Sequence, residues 1–310
     1  MTCLVATWSN GLFELADSTS HVFADTSVGA LTRSASGRVL AIVQGTELVE
    51  RIASGEWQTI ATADRPLSCI ACSGDQVFAG TDDAAILKLT SAGELRAIEG
   101  FADVGGREHW YAGTAVINGE VVGPPLGVRS MTATADASAL LANVHVGGIA
   151  RSADNGRHWV PTIDIDYDVH EVSAHPSRPD DVVAAAGVGL CLSTDGGRSW
   201  ALTTDGLHAK YCSAARYCGD TIFVAASEHH FSPCGALYRR APHTSATLER
   251  VSNGLPEWLD GIVDTACIGT LGSRIAIADR GGHIYESPDA GSGWFLRADG
   301  FKSPSAIILL

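Results

Sequence analysis

The stretch SADNGRHW at 152–159 recurs as STDGGRSW at 193–200 and as SPDAGSGW at 287–294, with Ser, Asp, Gly and Trp at the same four positions. The first two copies begin 41 residues apart, and the second and third begin 94 residues apart, which is twice 47. We therefore expect one more unit with a degraded motif between them, in ALYRRAPHTSATLERV at 236–251. Self-similarity with a period of about 20 to 50 residues is typical of solenoids and propellers. The chain is predicted to be a repeat protein.

Each copy of the motif follows the same local pattern, in which an apolar strand, a short turn and a second strand ending in Ser precede it. A further strand led by Trp comes next, so the order predicts a repeated antiparallel meander. The aspartates can accept hydrogen bonds from turn N–H groups, and the glycines can adopt a positive φ. We expect the tryptophans to fill the gaps between sheets. The residues in these three roles are Asp154, Asp195 and Asp289, then Gly156, Gly197 and Gly291, then Trp159, Trp200 and Trp294.

The predicted fold class is all-β, a single seven-bladed β-propeller domain of four-stranded antiparallel blades over residues 1–310. Small residues suit the crowded axis of a propeller, and six inner strands carry them near Ala30, Cys69, Thr132, Ser173, Ser213 and Ala266. The segment after Met1 holds only three strands of its blade, so the apolar C-terminal segment 304–310 is expected to pair with this N-terminal blade as its inner strand. The blades begin near residues 304, 26, 66, 128, 168, 210 and 262.

The SxDxGxxW motif resembles the Asp-box, or BNR, repeat of sialidases, of the Vps10 family and of plant-type photosystem assembly propellers. The whole chain also resembles the uncharacterised bacterial BNR-repeat proteins that are described as sialidase-like or glycosyl-hydrolase-like. The stretches that carry this resemblance are GPPLGVRSM, VHVGGIARSADNGRHWVPTID, DVHEVSAHP and GLHAKY. The resemblance implies the propeller fold, and it brings no catalytic residue with it because the motif is a folding element.

Composition excludes several partners. The formal net charge is −14 and the pI is about 5.1, so no basic surface for nucleic acid or anionic lipid is expected. There is no apolar run of about 18 residues, which argues against a membrane span. The eight cysteines lie mostly in apolar strand runs and are predicted to be reduced thiols. Since the N-terminus alternates like a strand and shows no signal peptide, we predict a cytoplasmic protein.

Histidines concentrate at the strand ends that are expected to carry the connections between blades. Three imidazoles from neighbouring blades can form an open site for zinc, copper, iron or manganese, with positions left for water or substrate. The predicted ligands are His145, His170 and His208, with His229 or His230 as a replacement or fourth ligand. This pattern predicts a small-molecule enzyme with a His-ligated metal ion.

A carboxylate-dependent, sialidase-like glycoside hydrolase is the first alternative. Its candidate catalytic residues are Glu228, Asp168 and Tyr211, and its candidate substrate-binding residues are Trp8, His109, Trp110, Arg129, Asp279 and Arg280. Two of the latter lie in an insert at 100–127, which is long for a connection and is therefore a candidate functional loop. Sialidases also need an Arg-Ile-Pro signature near the N-terminus, and the first blade, ATWSNGLFEL, contains no arginine.

A non-catalytic interaction scaffold is the second alternative. Aromatic residues are enriched at protein interfaces, and the candidate contact residues are Trp8, Trp110, Tyr111, Tyr167 and Tyr211. A concave pocket beside the histidines favours an enzyme, whereas a broad flat aromatic patch favours a scaffold.

Overall fold

The computed structural model describes residues 2–112, 115–117, 120–122, 126–243 and 246–310. Within these ranges the regular secondary structure is almost entirely β-strand, with three short 3-10 helices at Glu99–Phe101, Arg107–His109 and Ile165–Tyr167. None of the helices among the described residues is long and apolar enough to cross a membrane.

The strands form seven blades of four-stranded antiparallel sheet, which confirms the predicted seven-bladed β-propeller. The first blade holds Cys3–Thr7, Leu12–Leu15, Thr19–Val22 and the C-terminal strand Pro304–Leu309. The second holds Val28–Arg33, Val39–Val43, Glu47–Arg51 and Trp57–Thr62, and the third holds Leu67–Ser73, Gln76–Thr81, Ile86–Leu89 and Leu95–Ala97. The fourth holds Val128–Ala133, Leu140–Val144, Gly148–Ser152 and Val160–Ile163.

The fifth blade holds Val169–Ala174, Val182–Ala186, Gly189–Ser193 and Ala201–Thr203. The sixth holds Tyr211–Cys218, Thr221–Ser227, Cys234–Arg240 and Glu249–Arg250, and the seventh holds Ile268–Leu271, Arg274–Ala278, Ile284–Ser287 and Phe295–Ala298. A separate hairpin within the insert consists of Ala115–Ile117 and Glu120–Val122. The degraded repeat at 236–251 does supply the outer strands of the sixth blade.

Contacts divide the chain into two compact units. The first unit comprises Met1–Leu31, Val183–Leu192 and Ala201–Leu310, and the second comprises Thr32–Val182 and Ser193–Trp200. The assignment of all residues to one domain stays a prediction.

The C-terminal strand completes the first blade, and all four strands of this blade lie in the first compact unit. Cys3–Thr7 pairs on one side with Leu12–Leu15 and on the other with Pro304–Leu309, with Val5 opposite Ile307. Val5 and Ile307 are buried in a continuous apolar core, which offsets the entropy of ordering the end of the chain. The predicted pairing of the C-terminal strand with the N-terminal blade is confirmed.

A buried ion cluster lies at the same closure. The Glu286 carboxylate accepts hydrogen bonds from Arg274, at 2.6 Å, and from Arg297, at 2.5 Å. Arg274 also donates to the carbonyl of Leu310 at 3.3 Å, and Arg297 donates to that of Leu15 at 2.8 Å. Since each charge has a partner, the cost of its desolvation is offset.

The SxDxGxxW turns have the predicted hydrogen bonds. In the first copy, the Ser152 hydroxyl accepts the N–H of Gly156 at 2.9 Å, while Asp154 accepts the N–H of His158 at 2.9 Å. The glycines of the three copies have φ values of 89°, 80° and 79°, as the turn requires. Trp159 and Trp294 are buried as expected, but Trp200 is only half-buried and bonds Thr162 at its edge.

One further strand is not predicted by any sequence pattern. Leu259–Asp260, in the connection between blades six and seven, pairs with Cys234 and Gly235 as a fifth strand of blade six. All eight cysteines are free thiols, as predicted.

Candidate functional site

Two imidazoles and one carboxylate come together in the second compact unit. Oδ2 of Asp168 lies 3.3 Å from Nε2 of His170, and Oδ1 lies 3.9 Å from Nε2 of His145. His170 belongs to the inner strand Val169–Ala174, and His145 directly follows Leu140–Val144. Three of the residues predicted from sequence therefore share one cluster.

The turn before His170 orients the carboxylate. Ile165–Tyr167 forms a 3-10 turn that is capped by Asp164, whose side chain accepts the N–H of Asp166 at 3.1 Å. The turn ends at Asp168, which has a φ of 48°. This left-handed conformation is uncommon for a residue with a side chain and tends to persist where function requires it.

The turn after His145 is also strained. The N–H of His145 donates to the carbonyl of Gly127 at 3.0 Å, and the next residue, Val146, is buried with a φ of 48°. A β-branched residue in this conformation is an outlier that the surrounding structure must hold in place. The His145 ring is thus carried by a fixed backbone.

Asp168 is ionised at neutral pH. Its hydrogen bond with His170 lowers the pKa of the carboxyl most, and this effect outweighs burial, with His145 and Arg129 lowering it further. An ionised carboxylate only accepts hydrogen bonds, so Nε2 of His170 carries a proton. The Oδ1 atom is buried and has no hydrogen-bond partner among the described residues, leaving one acceptor position opposite His145.

The insert lies against this cluster. Trp110 is buried, and the Arg107 guanidinium lies over its ring, 4.8 Å from the ring centroid. A Cβ at Gly147 would lie 3.0 Å from the indole ring of Trp110. The N–H of Tyr111 reaches the carbonyl of Val146 at 3.4 Å, and the Tyr111 side chain is exposed. His109, by contrast, extends into solvent. The insert therefore packs on the turn that carries His145.

In the first compact unit, a different set of predicted residues forms a hydrogen-bonded chain. The Tyr211 hydroxyl lies 3.4 Å from Nδ1 of His230, whose carbonyl accepts from Arg280 at 2.6 Å. Arg280 also pairs with Asp264 at 3.2 Å. Glu228 and His229 are exposed beside this chain.

His208 belongs to another cluster of the first unit. Its Nδ1 lies 2.7 Å from the hydroxyl of buried Tyr238, and its ring meets the edge of Trp258 at 4.9 Å. The Arg250 guanidinium stacks over Trp258 at 4.0 Å. Burial lowers the pKa of His208, and Arg250 adds to this effect. Sequence reasoning missed these three neighbours because Trp258 lies in no repeat motif and the degraded repeat at 236–251 assigns no role to Tyr238 or Arg250.

Asp279 and Trp8 have separate surroundings in the first unit. Asp279 is fully buried and accepts the backbone N–H groups of His283, at 2.9 Å, and Asp260, at 3.1 Å. Burial raises its pKa despite these bonds. Its carboxylate holds a turn together. Trp8 is exposed and its ring covers Gly29.

The predicted metal site remains a prediction. Among the described residues, no group of three or more His, Cys, Asp or Glu side chains is arranged to hold a metal ion.

Comparisons with known proteins support the fold. No family model and no curated protein matches the chain. Virginiamycin B lyase from Staphylococcus aureus is similar in structure at 13% identity, with a TM-score of 0.58, over 84% of this chain and 80% of that one. A GH74 xyloglucanase from Xanthomonas campestris is similar at 15% identity, with a TM-score of 0.60, over 94% of this chain. The structure of YCF48 bound to D1 peptide is similar at 14% identity, with a TM-score of 0.55, over 87% of this chain and 82% of that one.

These similarities concern the fold alone at such identities. The chain spans 46% of the xyloglucanase, which is less than half of that enzyme. The protein is a seven-bladed β-propeller with structural neighbours among GH74 enzymes and virginiamycin B lyase. The resemblance to Asp-box families has no family match behind it and stays a prediction.

Proposed function

We propose that the chain is an enzyme that hydrolyses a small-molecule substrate, with Asp168 as the reacting carboxylate and a glycosidic bond as the bond cleaved. The observation that carries this proposal is the position of the Asp168 carboxylate, 3.3 Å from Nε2 of His170 and 3.9 Å from Nε2 of His145. A carboxylate held ionised in this way can act as a base toward water or as a nucleophile toward a sugar ring.

Solvent exposure assigns different roles to the three side chains. Asp168 is 39% exposed, whereas His145 is 9% exposed and His170 is 1% exposed. A substrate can therefore approach the Asp168 side chain but not the His170 ring. His170 acts as a positioning residue that keeps Asp168 ionised, and His145 stabilises the carboxylate from the second oxygen.

The surroundings suit a polar, ring-containing substrate. Tyr111 presents an exposed ring next to the turn that carries His145, and aromatic faces provide contact area for sugar rings. Arg129 is half-buried and close enough to Asp168 to lower its pKa. A hydroxyl or carboxylate of the substrate can accept hydrogen bonds from a guanidinium.

The fold offers only an analogy to this chemistry. A GH74 xyloglucanase shares the propeller, and the same fold hosts unrelated functions. The proposal therefore depends on the Asp168 cluster and not on the similarity.

Turnover of a panel of 4-nitrophenyl glycosides tests the proposal. We expect the wild-type chain to release 4-nitrophenol from at least one member, and Asp168→Asn to lower that rate by about 100-fold or more. Asp166→Asn is the matched control, because Asp166 is exposed on the same 3-10 turn. Unchanged turnover in folded Asp168→Asn would overturn the proposal. Absence of any turnover by the wild type would also contradict it and favour the scaffold hypothesis.

A metal-dependent enzyme is the second candidate. It is favoured by the buried Oδ1 of Asp168, which has no hydrogen-bond partner among the described residues and lies opposite the His145 ring. Imidazole and carboxylate together suit zinc, iron, copper or manganese. Elemental analysis of protein purified without an affinity tag tests it. Near-stoichiometric metal that is lost in His145→Ala and His170→Ala would support this candidate. Protein that neither contains nor takes up metal would exclude it.

A further inference from the structure

We propose that Asp82 is the second carboxyl group of this site and the proton donor to the leaving group. The inference rests on the proposed function of Asp168. Asp82 directly follows the strand Gln76–Thr81 of the third blade, and no sequence motif marks it.

Asp82 and His145 occupy equivalent positions in adjacent blades. Each residue directly follows the second strand of its blade, and each donates its N–H to the carbonyl of the residue before the inner strand. Asp82 donates to Pro66 at 3.1 Å, and His145 donates to Gly127 at 3.0 Å. In the first compact unit, Trp8 makes the same bond within its own blade, to the carbonyl of Ser303 at 3.0 Å. The backbone therefore presents Asp82 as it presents His145.

Asp82 and His145 also contact the same glycine, Gly127. A Cβ at Gly127 would lie 3.1 Å from Cα of Asp82 and 3.1 Å from the carbonyl oxygen of Thr81, while the carbonyl of Gly127 binds the N–H of His145. Because Gly127 has no side chain, the backbone at Asp82 and the backbone at His145 can both approach it closely. Arg129, which influences Asp168, lies two residues further along the chain. Asp82 thus belongs to the surroundings of the His145 turn.

The carboxyl of Asp82 is not held by a hydrogen bond among the described residues, whereas that of its neighbour Asp83 is. Asp83 accepts a hydrogen bond from Arg65 at 3.0 Å and one from the Thr81 hydroxyl at 2.5 Å. The half-buried carboxyl of Asp82 makes no hydrogen bond to the described residues. The ionisable groups that interact with Asp82 are the Asp83 carboxylate and the thiol of Cys69 on the inner strand of the same blade.

The two carboxyl groups are driven in opposite directions. Burial raises the pKa of Asp82, and the charge of Asp83 adds to the effect, whereas the hydrogen bond of His170 lowers the pKa of Asp168. Pairs of carboxyl groups with opposed shifts identify an acid and a base.

The proton transfers balance for hydrolysis of a glycosidic bond. Asp82 gives its proton to the departing oxygen as the bond from the anomeric carbon to that oxygen breaks. Asp168 takes a proton from the water whose oxygen forms the new bond to that carbon. The products are two hydroxyl compounds, and one proton exchange with solvent restores both carboxyl groups.

The test compares leaving groups. A 4-nitrophenyl glycoside releases a stable anion and needs little proton donation, whereas the methyl glycoside of the same sugar needs a proton. We expect Asp82→Asn to lower turnover of the methyl glycoside by about 100- to 10,000-fold and that of the 4-nitrophenyl glycoside much less. Asp83→Asn is the matched control, and Asp82→Glu should retain part of the methyl glycoside activity.

The outcomes separate this inference from the proposed function. Equal rates for folded Asp82→Asn and Asp83→Asn on both substrates, with Asp168→Asn inactive, would overturn the role of Asp82 alone. Full activity of Asp168→Asn, or no turnover by the wild type, would overturn both. Circular dichroism and melting curves show whether each variant is folded.

Discussion

The Nε2 atom of His170 lies 3.3 Å from Oδ2 of Asp168, and the imidazole is almost completely buried while the carboxylate reaches solvent. This contact lowers the pKa of Asp168 more than any other interaction does. A buried ring thereby controls the ionisation of an accessible carboxylate.

Replacement of the ring should raise the pKa of Asp168. In His170→Phe the side chain keeps a similar shape but cannot donate a hydrogen bond, so the pKa should move toward the ordinary value of about 3.9. His145→Phe should cause a smaller rise, because its Nε2 is 3.9 Å from the carboxylate. Carbon-13 NMR of the Asp168 carboxyl during a pH titration measures both shifts. An unchanged titration in His170→Phe would show that the contact does not govern Asp168.

Removal of the C-terminal strand should destroy the fold. Deletion of 304–310 exposes the edge of Cys3–Thr7 and removes the Leu310 carbonyl that Arg274 binds. We expect aggregated or unfolded protein in gel filtration and circular dichroism.

Point variants separate strand pairing from general damage. Ile307 is buried and Ile308 is partly exposed, so Ile307→Asp should lower the melting temperature far more than Ile308→Asp. A soluble truncation with an unchanged melting curve would contradict closure by this strand.

The tryptophans of the repeat motif should differ in their contribution to stability. Trp159 is buried, and its ring centroid lies 5.0 Å from that of Phe101. Trp159→Ala should lower the free energy of unfolding by about 3 to 5 kcal/mol. Trp200 is half-buried, so Trp200→Ala should cost less. Urea denaturation of both variants gives the comparison, and equal losses would contradict the burial difference.

The second repeat motif should lose stability in acid. Burial acts to raise the pKa of Asp195, but hydrogen bonds from Ser199, Ser193 and Arg198 outweigh it and lower the pKa to about 2. A lowered folded-state pKa stabilises the fold above the unfolded value of about 3.9, and this stability is lost as the pH falls toward 2. Asp195→Asn should reduce the pH dependence of unfolding between these values. An unchanged pH dependence in Asp195→Asn would contradict this role of the carboxylate.

The blade count and the closure could be predicted because both depend on local patterns. Three motif copies and an apolar terminal segment carry that information in sequence order. The pairing of Leu259–Asp260 with blade six could not be predicted, because two residues have no periodicity. Trp200 is partly exposed although it belongs to the same motif as the buried Trp159 and Trp294, so the motif alone does not predict burial.

The site could be predicted only in part. The sequence indicated that His145, Asp168 and His170 lie at strand ends, and the structure brings both imidazoles within 3.9 Å of the Asp168 carboxylate. His208 instead contacts Tyr238 and Trp258. The sequence does not show which way a side chain points when its residue lies in the connection before a strand. Asp82 lacks any motif, and only its backbone hydrogen bond reveals its equivalence to His145.

Chemical rescue of Asp168→Gly tests the central claim most directly. Asp168 has a φ of 48°, a conformation that glycine adopts without strain, so the variant should keep its fold and lose only the carboxylate. We expect hydrolysis of the 4-nitrophenyl glycoside that the wild type cleaves to be lost and then restored by added formate or azide, with Asp166→Gly unaffected by either. A folded Asp168→Gly variant that retains full activity, or that neither anion restores, would contradict the assignment of Asp168 as the reacting carboxylate.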